Sequence, residues 1–265
     1  MNKTLLFFIV MASGELSFAQ DSAICRQQEM IIKELPVLWQ QTAAEYRALC
    51  YQAFNIAGMR LDEIPKKKIR KQKLAIITDL DETILDNSYS EAQLIKDEKE
   101  HSDQKWKEWT SRSVATGVPG AVEFLQMARQ KGISVFYISN RDTGDVASTL
   151  INLKKLQLPD ADMAHMLFLS NTSSKESRRQ IVMSQYNVVM LLGDNLNDFM
   201  QVFEAKKSGD RFVETDKLKE EWGKKFIVLP NATYGEWENA VYDYDRKLKP
   251  AEKESKRKSK LAGYK

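Results

Sequence analysis

Apolar and polar positions alternate along this chain in two rhythms. Apolar side chains first recur at three- and four-residue steps, at Leu35, Leu38, Trp39, Ala43, Tyr46, Leu49, Cys50, Ala53, Phe54, Ala57 and Leu61. That period matches one face of an α-helix, and it predicts a single helix of about 25 residues opened by Pro36. Pro65 and the basic cluster Lys66–Lys73 then read as a solvated link.

From residue 74 the rhythm changes. Short continuous apolar runs at Leu74–Thr78, Ile133–Ser139, Met166–Ser170, Val188–Leu192 and Phe226–Leu229 predict strands buried on both faces. Helical stretches lie between them. Pro119 suits a first helical position with Gly132 closing that helix, and further helices are expected from about Thr143 to Leu156 and from about Ser174 to Gln185. Alternating strands and helices predict an α/β fold with a mostly parallel sheet. Two segments break the alternation. Asp86–Val118 is far longer than a βα loop of roughly 2–6 residues and carries Tyr89, Trp106 and Trp109, so it is expected to form a lid-like insert beside a site. Ala205–Lys225 is charged and poorly periodic, and is expected to be a surface excursion.

Composition narrows the class. The 265 residues are 43% hydrophobic and 29% charged, as in a soluble globular protein. A net charge of +3 is too small to argue for a nucleic-acid partner. Much of the excess sits in Lys253–Lys265, which lacks apolar periodicity and reads as a frayed, solvated end. At the other end, Lys3 precedes the apolar run Leu5–Ala12, which is too short to span a bilayer, and Ser17 and Ala19 suit a cleavage after residue 19. The expected protein is exported, with a mature chain starting near Gln20 and no transmembrane segment. The two cysteines, Cys25 and Cys50, permit a disulfide, although Cys50 also suits a buried thiol on the helical stripe. The two histidines, His101 and His165, lack partners at metal-ligand spacing, which argues against zinc or histidine-nucleophile chemistry.

The candidate chemistry begins at Asp79-Leu80-Asp81-Glu82-Thr83, at the end of the first strand. Strand residues alternate faces, so Asp79 and Asp81 can point the same way. Such a pair repels unless a cation or proton intervenes. Three further features fall at strand ends or helix starts: Ser139 in Phe136-Tyr137-Ile138-Ser139-Asn140-Arg141, Lys175, and the acidic pair Asp194 and Asp198 in Gly193-Asp194-Asn195-Leu196-Asn197-Asp198. In a parallel sheet these ends converge on one edge and can line one pocket. The set suits phosphoryl transfer. Asp79 can attack phosphorus, and Asp79 and Asp194 can hold Mg2+. Ser139 and Lys175 can hold the phosphoryl oxygens, while Asp81 moves the proton. An EF-hand reading fails because Ile84 and Ser90 stand where glycine and glutamate are needed. No P-loop fingerprint is present.

These residues resemble the haloacid dehalogenase superfamily of aspartate-nucleophile phosphatases, and most of all the bacterial class C acid phosphatases. Asp79–Ser88 resembles that family's first motif and Gly193–Phe199 its last. Further similarity lies in Ala44–Leu49, Val118–Phe124 and Pro230–Gly235, so the likeness spans about residues 38–240. It implies a Rossmann-like core with a small helical accessory domain. The implied division is a signal peptide at 1–19, an N-terminal helical region of the accessory domain at 20–73, a phosphatase core at 74–245 with the helical insert 86–118, and a basic disordered tail at 246–265. The resemblance implies Asp79 as nucleophile and Asp81 as general acid/base, with the Asp81 backbone carbonyl also on the metal. Asp194 is then the third contact, with Asp198 in support. Trp106 and Tyr234, with Asn140 and Tyr89, would meet the substrate, a small phosphomonoester that includes nucleotides.

Three departures from the family pattern stand out. The lipidation cysteine of lipoprotein members is absent, Tyr89 directly follows the Asn-Ser pair, and Ser139 replaces the commoner threonine. Periplasmic, secreted and outer-membrane-associated locations all stay open, as does a homodimer. A phosphotransferase with the same intermediate, and a non-catalytic ligand-binding relative, are the alternatives to a hydrolase.

Overall fold

The computed structural model describes residues 31–65, 67, 73–169 and 171–264. The expected signal segment, Cys25 and most of the basic link lie outside them. Among the described residues no helix is long and apolar enough to cross a membrane.

Five parallel strands form the core: β1 (Leu74–Thr78), β4 (Ser134–Ile138), β5 (Met166–Leu167), β6 (Asn187–Gly193) and β7 (Phe226–Val228), in spatial order β5-β4-β1-β6-β7. Every residue of β1 is buried. Its end is held on both sides, with Thr78 opposite Tyr137 of β4 and Leu192 of β6. The Asp79 N–H donates to the Leu192 carbonyl at 3.0 Å, which extends the ladder by one residue and aims Asp79 from the carboxyl edge. A β–α alternation puts all five carboxyl ends on that edge.

The N-terminal helix is broken where one helix was expected. Residues 31–42 form α1, which contains Pro36, and Ala44–Asp62 form α2. Ala43 is extended between them (φ −77°, ψ 123°). The Thr42 hydroxyl donates to the Leu38 carbonyl at 2.6 Å, a back-bond that bends helices. The two pieces also serve different surfaces. Gln40 and Gln41 reach Asp86 and Ser88, whereas Tyr46, Cys50, Phe54, Ala57 and Leu61 face the core. Cys50 is a buried free thiol, and burial pushes it up to about 11.

The long insert is pinned at its base by a two-stranded antiparallel pair, β2 (Leu85–Asp86) with β3 (Thr116–Gly117). Between them run α3 (Ser88–Lys96) and α4 (Asp103–Arg112). Next come α5 (Ala121–Gln130), α6 (Val146–Lys155) and α7 (Glu176–Met183) at the expected places. Phe54 packs on Phe124 at 5.6 Å, joining α2 to the core.

Two segments are more regular than their patterns implied. The excursion 205–225 contains α8 (Ser208–Lys217), anchored by buried Arg211, whose guanidinium donates to the Phe203 carbonyl at 2.7 Å. A helix held by a buried cation leaves no apolar stripe to read. Helix α9 (Glu236–Val241) then leads to the tail, where a frayed end was expected and α10 (Pro250–Lys260) forms. Pro250 starts it, Glu252 accepts from the Lys249 N–H, and Lys256 pairs with Asp243. Caps and charge pairs stabilise this helix, and none of its residues is buried.

Candidate active site

The strand edge opens into a cleft of about 640 Å³, lined at its floor by Asp79, Asp81, Lys175, Asp194 and Asp198. They arrive on three separate segments. Asp79 and Asp81 leave β1, Asp194 and Asp198 leave β6, and Lys175 precedes the first residue of α7. Gly193 makes the second turn possible, because a Cβ there would sit 2.5 Å from Asp198 Cβ and Oδ2. The Asp198 carboxylate also accepts from the Asn195 N–H at 3.0 Å, closing the turn from inside.

Lys175 is buried and spans two carboxylates. Its ammonium donates to Asp79 Oδ1 and, at 2.7 Å, to Asp198 Oδ1. Burial alone would lower this lysine, but Asp198 and Asp79 more than offset it and hold it charged. For Asp79, burial is the largest influence and pushes the carboxyl well up, against the pull of Lys175. Asp194 is pushed up to about 7 by burial and then by Asp198. It accepts from Asn231 Nδ2 at 2.8 Å.

Oxygens of Asp79, Asp194 and Asp198 all lie within 4.8 Å of one another. Three acids, two of them buried and Asp194 half-buried, against one lysine leave an excess of negative charge, which is what a hard divalent cation relieves. The donor set therefore fits a metal such as Mg2+. The side chain of Asp81 stands apart from this oxygen cluster, and the metal contact expected of Asp81 is its main-chain carbonyl. It is taken by Arg141, which donates from Nη2 at 2.7 Å and from Nε at 3.0 Å, and by Asn87 Nδ2 at 2.8 Å. A bidentate arginine fixes a carboxylate's orientation. Burial would lower Arg141, but Asp81, together with Glu82 and Asp145, more than offsets it.

The other expected residues divide. Ser139 is fully buried, with its hydroxyl 3.4 Å from Asp81 Oδ2 and accepting the Arg141 N–H. Asn140 lines the cleft and is held by Arg178 Nη2 at 2.6 Å. Trp106, on α4, and Tyr234, after β7, line the cleft from opposite elements. Tyr89 does not line it; that side chain is 53% exposed on α3, whereas Asn87, Ser88 and Glu91 around it are buried. The helix starts one residue before Tyr89, so the inward positions of that turn fall to its neighbours.

Arg141, Asn87, Glu82 and Arg178 were not singled out from the sequence as functional. One signal was legible: Arg141 stands two residues beyond Ser139, a charge three positions past the end of the largely apolar strand β4.

Comparison with known proteins follows the same lines. The description HAD superfamily, subfamily IIIB (acid phosphatase) matches residues 19–237. The chain belongs to that family. It is therefore a phosphoric monoester hydrolase. Among solved structures, the class C acid phosphatase from Bacillus anthracis is 37% identical with a TM-score of 0.84, and the match covers 91% of this chain and 99% of that one. The tungstate-bound structure of the same Bacillus anthracis enzyme matches with a TM-score of 0.83 at the same identity and coverage. This acid phosphatase thus shares its core architecture with class C enzymes along nearly the whole of their length.

Proposed function

We propose that this acid phosphatase is an exported, Mg2+-dependent phosphomonoesterase that works through an aspartyl-phosphate on Asp79 and accepts nucleoside monophosphates. The observation that carries the reading is Asp79 itself: a buried carboxylate at the end of the central strand, paired to a buried lysine and facing the cleft. Tungstate is a tetrahedral oxyanion like phosphate, and the relative from Bacillus anthracis binds it.

In the first half-reaction an Asp79 oxygen attacks phosphorus and the ester P–O bond breaks. Asp81 gives its proton to the leaving oxygen, so the alcohol departs neutral. In the second, water attacks the phosphorus of the aspartyl-phosphate, Asp81 takes its proton, and the Asp79–phosphorus bond breaks to release orthophosphate. Arg141 and Asn87 keep Asp81 aimed through both steps. Lys175 and the Ser139 hydroxyl hold the transferring oxygens, with Lys175 passing from Asp79 to the substrate. Asp79, Asp194 and the Asp81 main-chain carbonyl would hold Mg2+, with Asp198 supporting Lys175 and the turn. When bound, the ion supplies the charge neutralisation that lets a carboxylate approach a phosphoryl dianion.

Trp106 and Tyr234 line the cleft, which supports ring-bearing substrates such as nucleotides. The pattern of Lys3, Leu5–Ala12 and Ala19 supports export, and the family match begins at residue 19. A panel of phosphomonoesters assayed with Mg2+ and with a chelator tests the reading. Metal-dependent release of phosphate, fastest for nucleoside monophosphates, is expected. Equal rates in chelator would refute the metal, and a flat panel would refute the ring preference.

A further inference from the structure

Glu82 takes no part in the steps above, yet it is 1% exposed at the centre of the site. It follows Asp81 in a tight turn in which Ile84 and Leu85 both donate to the Leu80 carbonyl, at 2.9 and 2.8 Å. Within that turn Glu82 is left-handed, at φ 57°, a conformation that disfavours side chains with a Cβ. Its two carboxylate oxygens serve different parts of the chain. Oε1 accepts the Asn87 N–H at 2.9 Å. Oε2 accepts the Tyr234 hydroxyl from 152 residues away. Asn87 in turn donates to Asp81 and accepts the Trp109 indole N–H at 2.8 Å. One buried carboxylate therefore joins the turn carrying the proton-transfer residue to the loop carrying a cleft aromatic.

Tyr234 would otherwise be poorly fixed. It follows a loop residue, Thr233, and precedes Gly235 at φ 143°, a backbone geometry that other residues rarely adopt. The loop has its own tie, since Asn231 bonds Asp194 and accepts from the Thr233 N–H and hydroxyl. That tie runs through Asn231, Asp194 and Thr233 and does not reach the Tyr234 ring. The bond from its hydroxyl to Glu82 is what ties the ring itself to the core beside the cleft.

From this geometry we infer that Glu82 is a specificity-determining positioning residue: through the Tyr234 hydroxyl it presets the aromatic wall that ring-bearing leaving groups meet. The inference rests on the phosphatase reading above, and it adds that selectivity for rings is set from within the Asp79–Thr83 turn. Presetting one side chain is worth roughly two- to twelvefold in affinity. Any effect of Glu82 that runs through Asn87 to Asp81 alters proton transfer for every substrate, so it cancels in a ratio of substrates.

The test compares kcat/KM for adenosine 5′-monophosphate and glycerol 1-phosphate, two esters of primary alcohols that differ in the ring. The ratio is measured for the wild type, Tyr234→Phe, Glu82→Ala and the double variant, all with Mg2+. Tyr234→Phe keeps the ring and deletes only the anchor. The ratio is expected to fall roughly fivefold in each single variant, mainly through KM for the nucleotide, and no further in the double. Glu82→Gln, which retains one oxygen and can donate to the tyrosine oxygen, is expected to restore most of it. An unchanged ratio in Tyr234→Phe would overturn the inference, as would a double variant whose loss is the product of the two singles. If Glu82→Ala fails to fold, Tyr234→Phe alone decides. A wild type inert toward both esters would refute the phosphatase reading itself, and the inference with it.

Discussion

Lys175→Met removes the one cation that Asp79 and Asp198 share, and its effect can be worked out before it is measured. Lys175 is 6% exposed and its ammonium contacts both carboxylates, which lie with Asp194 in a cluster 4.8 Å across. Deleting one partner of a buried ion pair costs about 3–5 kcal/mol, because the remaining charge is left unpaired. In a chain of this size each kcal/mol moves the melting temperature by roughly 2–4 °C, so a fall of about 10 °C is expected at pH 8 in chelator. The loss should depend on pH. Burial already pushes Asp194 up to about 7 and Asp79 well above the ordinary carboxylate range. Such groups hold protons in the folded state that the unfolded chain, titrating near 4, has released. Between about pH 4 and 7 the folded state binds more protons, so their contribution to stability falls as pH rises through that window. The deficit of the variant is therefore largest above pH 7 and shrinks toward pH 5, where protons replace the missing cation. Mg2+ should recover part of it at pH 8. Thermal melts followed by circular dichroism at pH 5 and pH 8, with chelator or with Mg2+, provide the assay. A variant that melts within about 2 °C of wild type at pH 8 in chelator would refute the reasoning, as would a deficit that grows on acidification.

Two further outcomes follow from the same geometry. Arg141→Met frees the Asp81 carboxylate that Arg141 grips at 2.7 Å, so kcat should fall on the order of 10²-fold with little change in KM. Arg141→Lys should rescue little, because an ammonium cannot supply the paired donors; near-normal kcat in either variant would contradict the orienting role. Protons and Mg2+ compete for Asp79 and Asp194, so apparent metal affinity should weaken below pH 7 by up to about tenfold per pH unit for each carboxylate that must lose its proton. Titration calorimetry in two buffers of different ionisation enthalpy should register proton release on metal binding, and its absence at pH 6 would count against the buried carboxylates as ligands.

Much of this was legible in the sequence because the core strands are buried on both faces. An unbroken run such as Leu74–Thr78 leaves few alternatives, and its polar terminus, Asp79, marks the ligand-binding edge. The sheet edge then brings Lys175 and Asp194 to the same cleft from a helix start and a strand end, with Ser139 buried beside Asp81. Other features had no such signal. The break at Ala43 lies inside a continuous apolar stripe, since both helical pieces bury one face and only the direction changes. Helix α8 is held by buried Arg211, and α10 by caps and ion pairs, so neither carries the apolar period that marks a packed helix. Within the site, Asp81 was readable as a reactive carboxylate, but its partner was not. Whether a carboxylate meets a metal or an arginine depends on which side chain arrives from a strand 60 residues away. Tyr89 illustrates the same limit, because one step along a helix rotates a side chain by about 100° and turns a cleft position into an exposed one.

The central claim is that Asp79 becomes phosphorylated during turnover, and chemical trapping tests it directly. The protein is mixed with substrate and Mg2+, quenched in acid within the first turnover, and reduced with borohydride, which converts an acyl phosphate to an alcohol. Peptide mass spectrometry should then find homoserine at position 79, only when substrate was present, and with Asp81, Asp194 and Asp198 unmodified. Homoserine at another aspartate, or none at position 79 under conditions where phosphate is released, would contradict the account.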